Sequence, residues 1–240
     1  MPRGAKDWGQ YAEQDILAKT FDLGELAVRL GCPSVFSRSG SIIYATNFEN
    51  GFKDWVVSSE YGCNIRLTAE RGYHSSYSLV FDFYGGYGAD GIIKRSIPFL
   101  LKSKYAYEIV FGMEQPLMDI YFTWKVIVES VSYLYGVYLR GTESPFTIEI
   151  PGAVPAVDTD IKLTGDPFHW NFLKLYVDTS SGHYLRLQLN NKVYNLKSFQ
   201  CMESPIDASD CIELQISATN AQSGVNYFYV GSIIVTTNED

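Results

Sequence analysis

The residues best suited to chemistry are three histidines, four cysteines and scattered carboxylates in a chain of 240 residues. His74, His169 and His183 show neither HExxH nor HxH spacing, so a zinc hydrolase is not indicated. His169 precedes Trp170 in a strand-like stretch and reads as packed or hydrogen-bonded rather than catalytic. Among Cys32, Cys63, Cys201 and Cys211 there is no CxxC pair and no zinc spacing. Cys201 and Cys211 could flank one loop closely enough to bridge, but buried free thiols are the expected state. No GxSxG elbow is present. Nor is there a strand of the form Glu-x-Asp-x-x-Glu, whose alternation would set an acid and a nucleophile on one face. Asp119 and Glu129 border one long apolar stretch and read as turn and edge charges. The chain is therefore expected not to be an enzyme.

Gly85 to Gly91 is a glycine-rich turn without the Lys-Ser/Thr of a phosphate loop and without a following helix pattern, so nucleotide binding is not expected. The net charge of −8 and the lack of a Lys/Arg run argue against nucleic acid as a partner. The wholly apolar runs are only a few residues long, so no membrane span is expected, and no secretory signal is visible after Met1. Such a chain is expected to stay in the cytoplasm, to leave by another route, or to reach the outside when a particle such as a virion assembles and the cell lyses; a mature protein already cleaved would read the same way.

One hairpin offers a mixed face for a ligand. Trp170 to Val177 and Tyr184 to Leu189 are joined by a polar turn. Period-two alternation sends Leu173, Leu175, Val177, Leu185, Leu187 and Leu189 to the core. The other face then carries Phe172, Lys174 and Tyr176 against Tyr184, Arg186 and Gln188, suited to a flat ligand or a protein partner. Asn190-Asn191 predicts a tight turn into Lys192 to Leu196.

These residues need a scaffold, and the pattern supplies strands. From Ser41 onward short apolar or alternating stretches, such as Tyr105 to Met113, Asp119 to Glu129 and Tyr227 to Thr236, are separated by Gly/Asn/Asp turns. Pro145 to Pro155 reads as an edge or loop, because Pro151 and Pro155 cannot donate to a central ladder. The expected fold is all-β: a two-sheet antiparallel jelly-roll β-sandwich over 41–240, of about a dozen strands. Residues 1–40 read as an N-terminal arm with one short helix, capped by Asp22 and Glu25 and stopped by Gly31 and Pro33. Leu23, Leu26 and Leu30 give that helix an apolar stripe. With Trp8 and Tyr11 they form a candidate assembly arm, since a two-turn helix must dock on something.

Three stretches together resemble jelly-roll carbohydrate-binding and concanavalin-like modules: Asn47 to Trp55, with Phe48-Glu49 and Trp55; His169 to Asp178, with Trp170 and Lys174-Leu175; and Asn226 to Thr236 as the closing strand. The resemblance implies a sandwich bracketing residues 41 to 240. It also implies a structural calcium between the opening acidic residue, here Glu49, and a closing aspartate, where this chain has Gly231. The leader resembles those of phage-type structural proteins. Two functions follow as expectations. The first is a non-enzymatic structural protein of a phage-type particle, self-associating or contacting other particle proteins through the leader. The second is a carbohydrate-binding module recognising glycans through a Tyr/Trp-rich sheet face.

Overall fold

The computed structural model describes residues 40–239, apart from 74, 99–100, 116–117, 142–145, 153–155, 162 and 164–168. The candidate arm residues Trp8, Tyr11, Leu23, Leu26 and Leu30 lie outside the described residues.

Two eight-stranded antiparallel sheets face each other. The first contains β1 (Ser41–Thr46), β3 (Cys63–Thr68), β4 (Ser78–Phe83), β6 (Lys104–Met113), β11 (Asn171–Asp178), β12 (His183–Leu189), β13 (Lys192–Asn195) and β16 (Asn226–Thr237). Its order is β13-β12-β11-β6-β16-β4-β3, with β1 beside the second half of β16. The second contains β2 (Val56–Glu60), β5 (Asp90–Pro98), β7 (Met118–Val128), β8 (Val131–Arg140), β9 (Phe146–Glu149), β10 (Asp158–Ile161), β14 (Met202–Pro205) and β15 (Cys211–Asn220). Its order is β10-β9-β8-β7-β15-β5-β2, with β14 also on β8. The jelly-roll expectation holds. The strands without an apolar run to announce them are β2, β9, β10 and β14, all short and mostly at edges.

Alternation builds the core. In β7 the buried set is Ile120, Phe122, Trp124 and Val126, while Asp119, Tyr121, Thr123 and Lys125 point outward. Trp124 packs edge-on against Tyr105 and Tyr107 of the opposite sheet, at 5.6 and 5.9 Å between ring centroids. Phe111 meets Phe122 at 5.1 Å. Much of the aromatic richness is thus interior packing, where such pairs add to area burial. The opening stretch belongs to this core as well. Phe48 and Trp55 are buried against each other, and Gly51, at φ +84°, closes the turn between them by donating to the Phe48 carbonyl.

Cys63, Cys201 and Cys211 are free thiols, so the last two do not pair.

Candidate functional site

The mixed face anticipated on β11 and β12 is altered by one residue. Tyr176 pairs with Arg186 but Val177 pairs with Tyr184, which leaves Leu185 as the extra residue of a β-bulge. The bulge reverses the alternation beyond it. Tyr184, expected outside, points into the core, where its hydroxyl accepts from the Gly136 amide at 2.8 Å. Leu185, expected inside, lies on the outer face. Lys174 is also unavailable to a ligand. It is fully buried, with Nζ 3.0 Å from both Glu108 and Glu239 and 4.6 Å from the Tyr176 ring centre. Tyr176 is buried too, with the Arg186 guanidinium 3.8 Å from its ring centre. Phe172 is half-buried and edge-on to Tyr73, which also meets Trp170, and Arg71 is held between Trp170 and Tyr229. Of the six anticipated residues, Arg186 remains exposed and Gln188 half-exposed.

Glu49 is a hydrogen-bond acceptor for the Ser76 amide. Among the described residues no group of three metal-ligating side chains converges. At 231 a side chain has no room: a Cβ there would stand 2.6 Å from the Tyr73 Cβ and 3.0 Å from the Trp170 ring. An aspartate cannot complete a calcium pair with Glu49 at that position. His169 contributes its carbonyl, which accepts from Arg71 at 2.7 Å, and His183 lies 3.2 Å from the Gln200 amide nitrogen.

A different face gathers the groups that could hold a ligand. On the outside of the second sheet the register sets Glu149, Tyr138, Tyr121 and Ser217 in one cross-strand row. The row beside it runs Thr147, Arg140, Asp119, Thr219 and Asp90. Tyr121 and Tyr138 meet edge-to-face at 4.9 Å, both half-exposed. Arg140 ties the carboxylates together: Nε donates to Glu149 at 2.7 Å, and Nη1 lies 3.8 Å from Asp119 and 3.4 Å from the Tyr121 hydroxyl. Asp119 also accepts from the Gly141 amide at 3.0 Å and from the Tyr121 hydroxyl at 3.3 Å. The hydrogen bond to Glu149 raises the Arg140 guanidinium further above its ordinary value. Burial, then Asp119, raises the Tyr121 phenol, and burial raises that of Tyr138. Both hydroxyls therefore keep their protons at neutral pH. The result is two aromatic edges, two fixed carboxylate acceptors and one guanidinium, on strands whose other faces are locked in the core.

The loops at this end of the sandwich add three exposed aromatics. Tyr61, Tyr84 and Tyr87 are 78%, 64% and 78% exposed. Their loops are braced: Tyr84 and Gly85 amides donate to the Gly62 carbonyl, and buried Asn220 donates to the Gly86 and Gly224 carbonyls.

Sequence reasoning read Asp119 as an edge charge and missed Tyr121, Tyr138, Arg140 and Glu149. The signal was present as the outward half of the β7 and β8 alternation. What was absent was the pairing that brings those halves together.

No family model matches the sequence, and no curated protein matches it. The fold does have solved counterparts. It is similar to peanut lectin solved with a nine-residue peptide, with a TM-score of 0.53 and 11% identity over 81% of this chain and 96% of that one. It is similar to the carbohydrate recognition domain of Emp47p, with a TM-score of 0.51 and 10% identity over 84% and 99%. A Bauhinia forficata lectin in complex with GalNAc gives a TM-score of 0.51 and 12% identity over 81% and 99%. At such identities the likeness establishes the fold: a lectin-type jelly-roll β-sandwich.

Proposed function

We propose that this chain is a non-enzymatic carbohydrate-binding protein whose glycan lies on the outer face of the second sheet. The observation that carries this reading is the Tyr121–Tyr138 pair flanked by Asp119, Arg140 and Glu149. A sugar ring offers an apolar face for an aromatic ring and hydroxyls that both donate and accept. Half-exposed phenols, carboxylates and a guanidinium answer both needs. The solved counterparts support the same reading, since they include a carbohydrate recognition domain and a lectin bound to GalNAc. Catalysis fits the site less well. Glu149 is ion-paired to Arg140, and both Asp119 oxygens accept hydrogen bonds, so neither is placed to donate a proton to a leaving group. The expectation of a particle protein rests on the leader, and residues 1–39 lie outside the described ones.

Affinity electrophoresis of the full chain through gels carrying different neutral polysaccharides tests the proposal. Retardation in at least one gel is expected, with the polysaccharide released uncut. Migration unaltered in every gel contradicts glycan binding, and appearance of new reducing ends contradicts a non-enzymatic role.

A further inference from the structure

The first sheet carries a second opening, a groove of about 380 Å³ over β11, β12 and β13. Among the described residues its charged lining is Lys104, Arg186 and Lys197, all exposed, with no carboxylate beside them in the lining. That is unusual in a chain of net charge −8. Most other described cations have a carboxylate within 4.0 Å, as Arg66 has Asp82, Arg95 has Asp54, Lys125 has Glu213 and Lys192 has Asp158. Lys104, Arg186 and Lys197 have no ion pair among the described residues. Asp178 sits opposite Lys104 across the β6–β11 ladder, but its Oδ1 accepts from the Ser180 amide and hydroxyl.

The rest of the groove is shaped for something larger than a simple ion. Leu185, turned outward by the bulge, and Val193, 63% exposed, give it apolar walls. Asn195 adds a neutral amide. The Arg186 guanidinium carbon lies 3.8 Å from the Tyr176 ring centre, over its face, and Tyr176 is in turn packed near the buried Lys174 ammonium. A stacked guanidinium keeps its N–H edge free while its face is occupied, an arrangement that presents a planar fork to a carboxylate.

We infer that this groove binds the carboxylate of an acidic sugar residue, a uronate, with the pyranose body against Leu185 and Val193. Charge complementarity selects the anion, and the apolar walls with Asn195 select the saccharide over a bare ion. The inference rests on the reading of the chain as a carbohydrate binder but not on the site of the second sheet, which lies on the opposite side of the sandwich.

The test uses the full chain and short uronate di- and trisaccharides from pectin, alginate and hyaluronan, with methyl-esterified pectin fragments as neutral counterparts. At least one uronate should bind, its methyl ester should not, and affinity should fall as salt rises. Arg186→Gln and Lys197→Gln together should weaken it by about tenfold or more, the effect of losing charge-assisted contacts. Both replaced cations are exposed, and an unaltered circular dichroism spectrum confirms that the variants fold. The inference fails if no uronate binds, if the ester binds equally, or if the double variant binds like the parent. It fails also if inorganic sulfate displaces the sugar at equal concentration, which would mark a general anion site. Uronate binding that ignores the groove substitutions while neutral polysaccharide still retards the chain overturns the groove alone. The reverse pattern overturns the second-sheet site alone.

Discussion

Lys174 shows how differently a polar residue behaves once its surroundings are known. Its ammonium is fully buried with Glu108 and Glu239, and Thr236 donates to the same Glu239 carboxylate at 2.6 Å. Burial, the largest single cause, lowers its pKa, but Glu108, Tyr176 and Glu239 together outweigh that and the net shift is upward. Removing it strands buried negative charge, so Lys174→Met is expected to cost about 3–5 kcal/mol in chemical denaturation. A change under about 1 kcal/mol would show that the carboxylates find other partners. Tyr184 carries the same lesson. As a core residue its truncation to alanine should cost about 3–5 kcal/mol of stability, measured the same way. A loss of glycan retention with stability intact would return it to the surface. In the sequence Lys174 stands between Leu173 and Leu175 and Tyr184 between His183 and Leu185, where alternation sends both outward, and neither signals that it is enclosed. Lys174 finds its partners on β6 and near the chain end, and Tyr184 is inverted by one unpaired residue. The first cause is distant in sequence, and the second lies in how β12 pairs with β11 rather than in the pattern of β12 itself.

At the scale of elements, the strands with alternation or a long apolar run were legible: β6, β7, β11, β15 and β16 fall where the apolar pattern places them. So was the Asn190-Asn191 turn, where Asn190 adopts φ +51°. The β7–β8 turn was not, because Glu129-Ser130 lacks the usual chemistry yet holds φ of +53° and +60°. That turn sets Tyr121 opposite Tyr138, and the pairing of β9 with β8 brings in Glu149. The candidate site was hidden for these two reasons. Non-glycine residues at left-handed φ cost roughly 1–2 kcal/mol each. Glu129→Asn with Ser130→Gly should therefore raise stability by about 1 kcal/mol after the added unfolded-state freedom of glycine is counted. A lower denaturation midpoint would mean that the Glu129 carboxylate's contact with Lys102, at 3.3 Å, holds more than the turn costs.

For the whole molecule, the aromatic core makes stability depend on alkaline pH. Burial is the main cause that raises the phenols of Tyr107, Tyr135 and Tyr184 above the ordinary value of 10.0. In the unfolded chain these groups lose their protons near that value, whereas the folded chain holds them. Their contribution is fully present below pH 10.0 and is lost as pH rises toward the folded values. Lys174, raised above 10.5, acts in the same direction. The unfolding free energy is thus expected to fall above about pH 10, by about 1.4 kcal/mol per pH unit for each such group, and the denaturant midpoint with it. Tyrosinate absorbance from the buried rings should rise only with unfolding. A flat midpoint to about pH 11 would contradict that burial. The two sheets of this molecule have different outer surfaces: the first has buried charge and aromatics around its cationic groove, the second a half-exposed row of tyrosines and carboxylates. The central claim is that the second is where a glycan binds. The most direct measurement is retention of the full chain on the neutral polysaccharide that retards it best, compared with Tyr121→Ala and Tyr138→Ala. Each substitution should weaken retention by about tenfold or more with the fold intact; retention equal to that of the parent in both would place the glycan elsewhere and contradict the account.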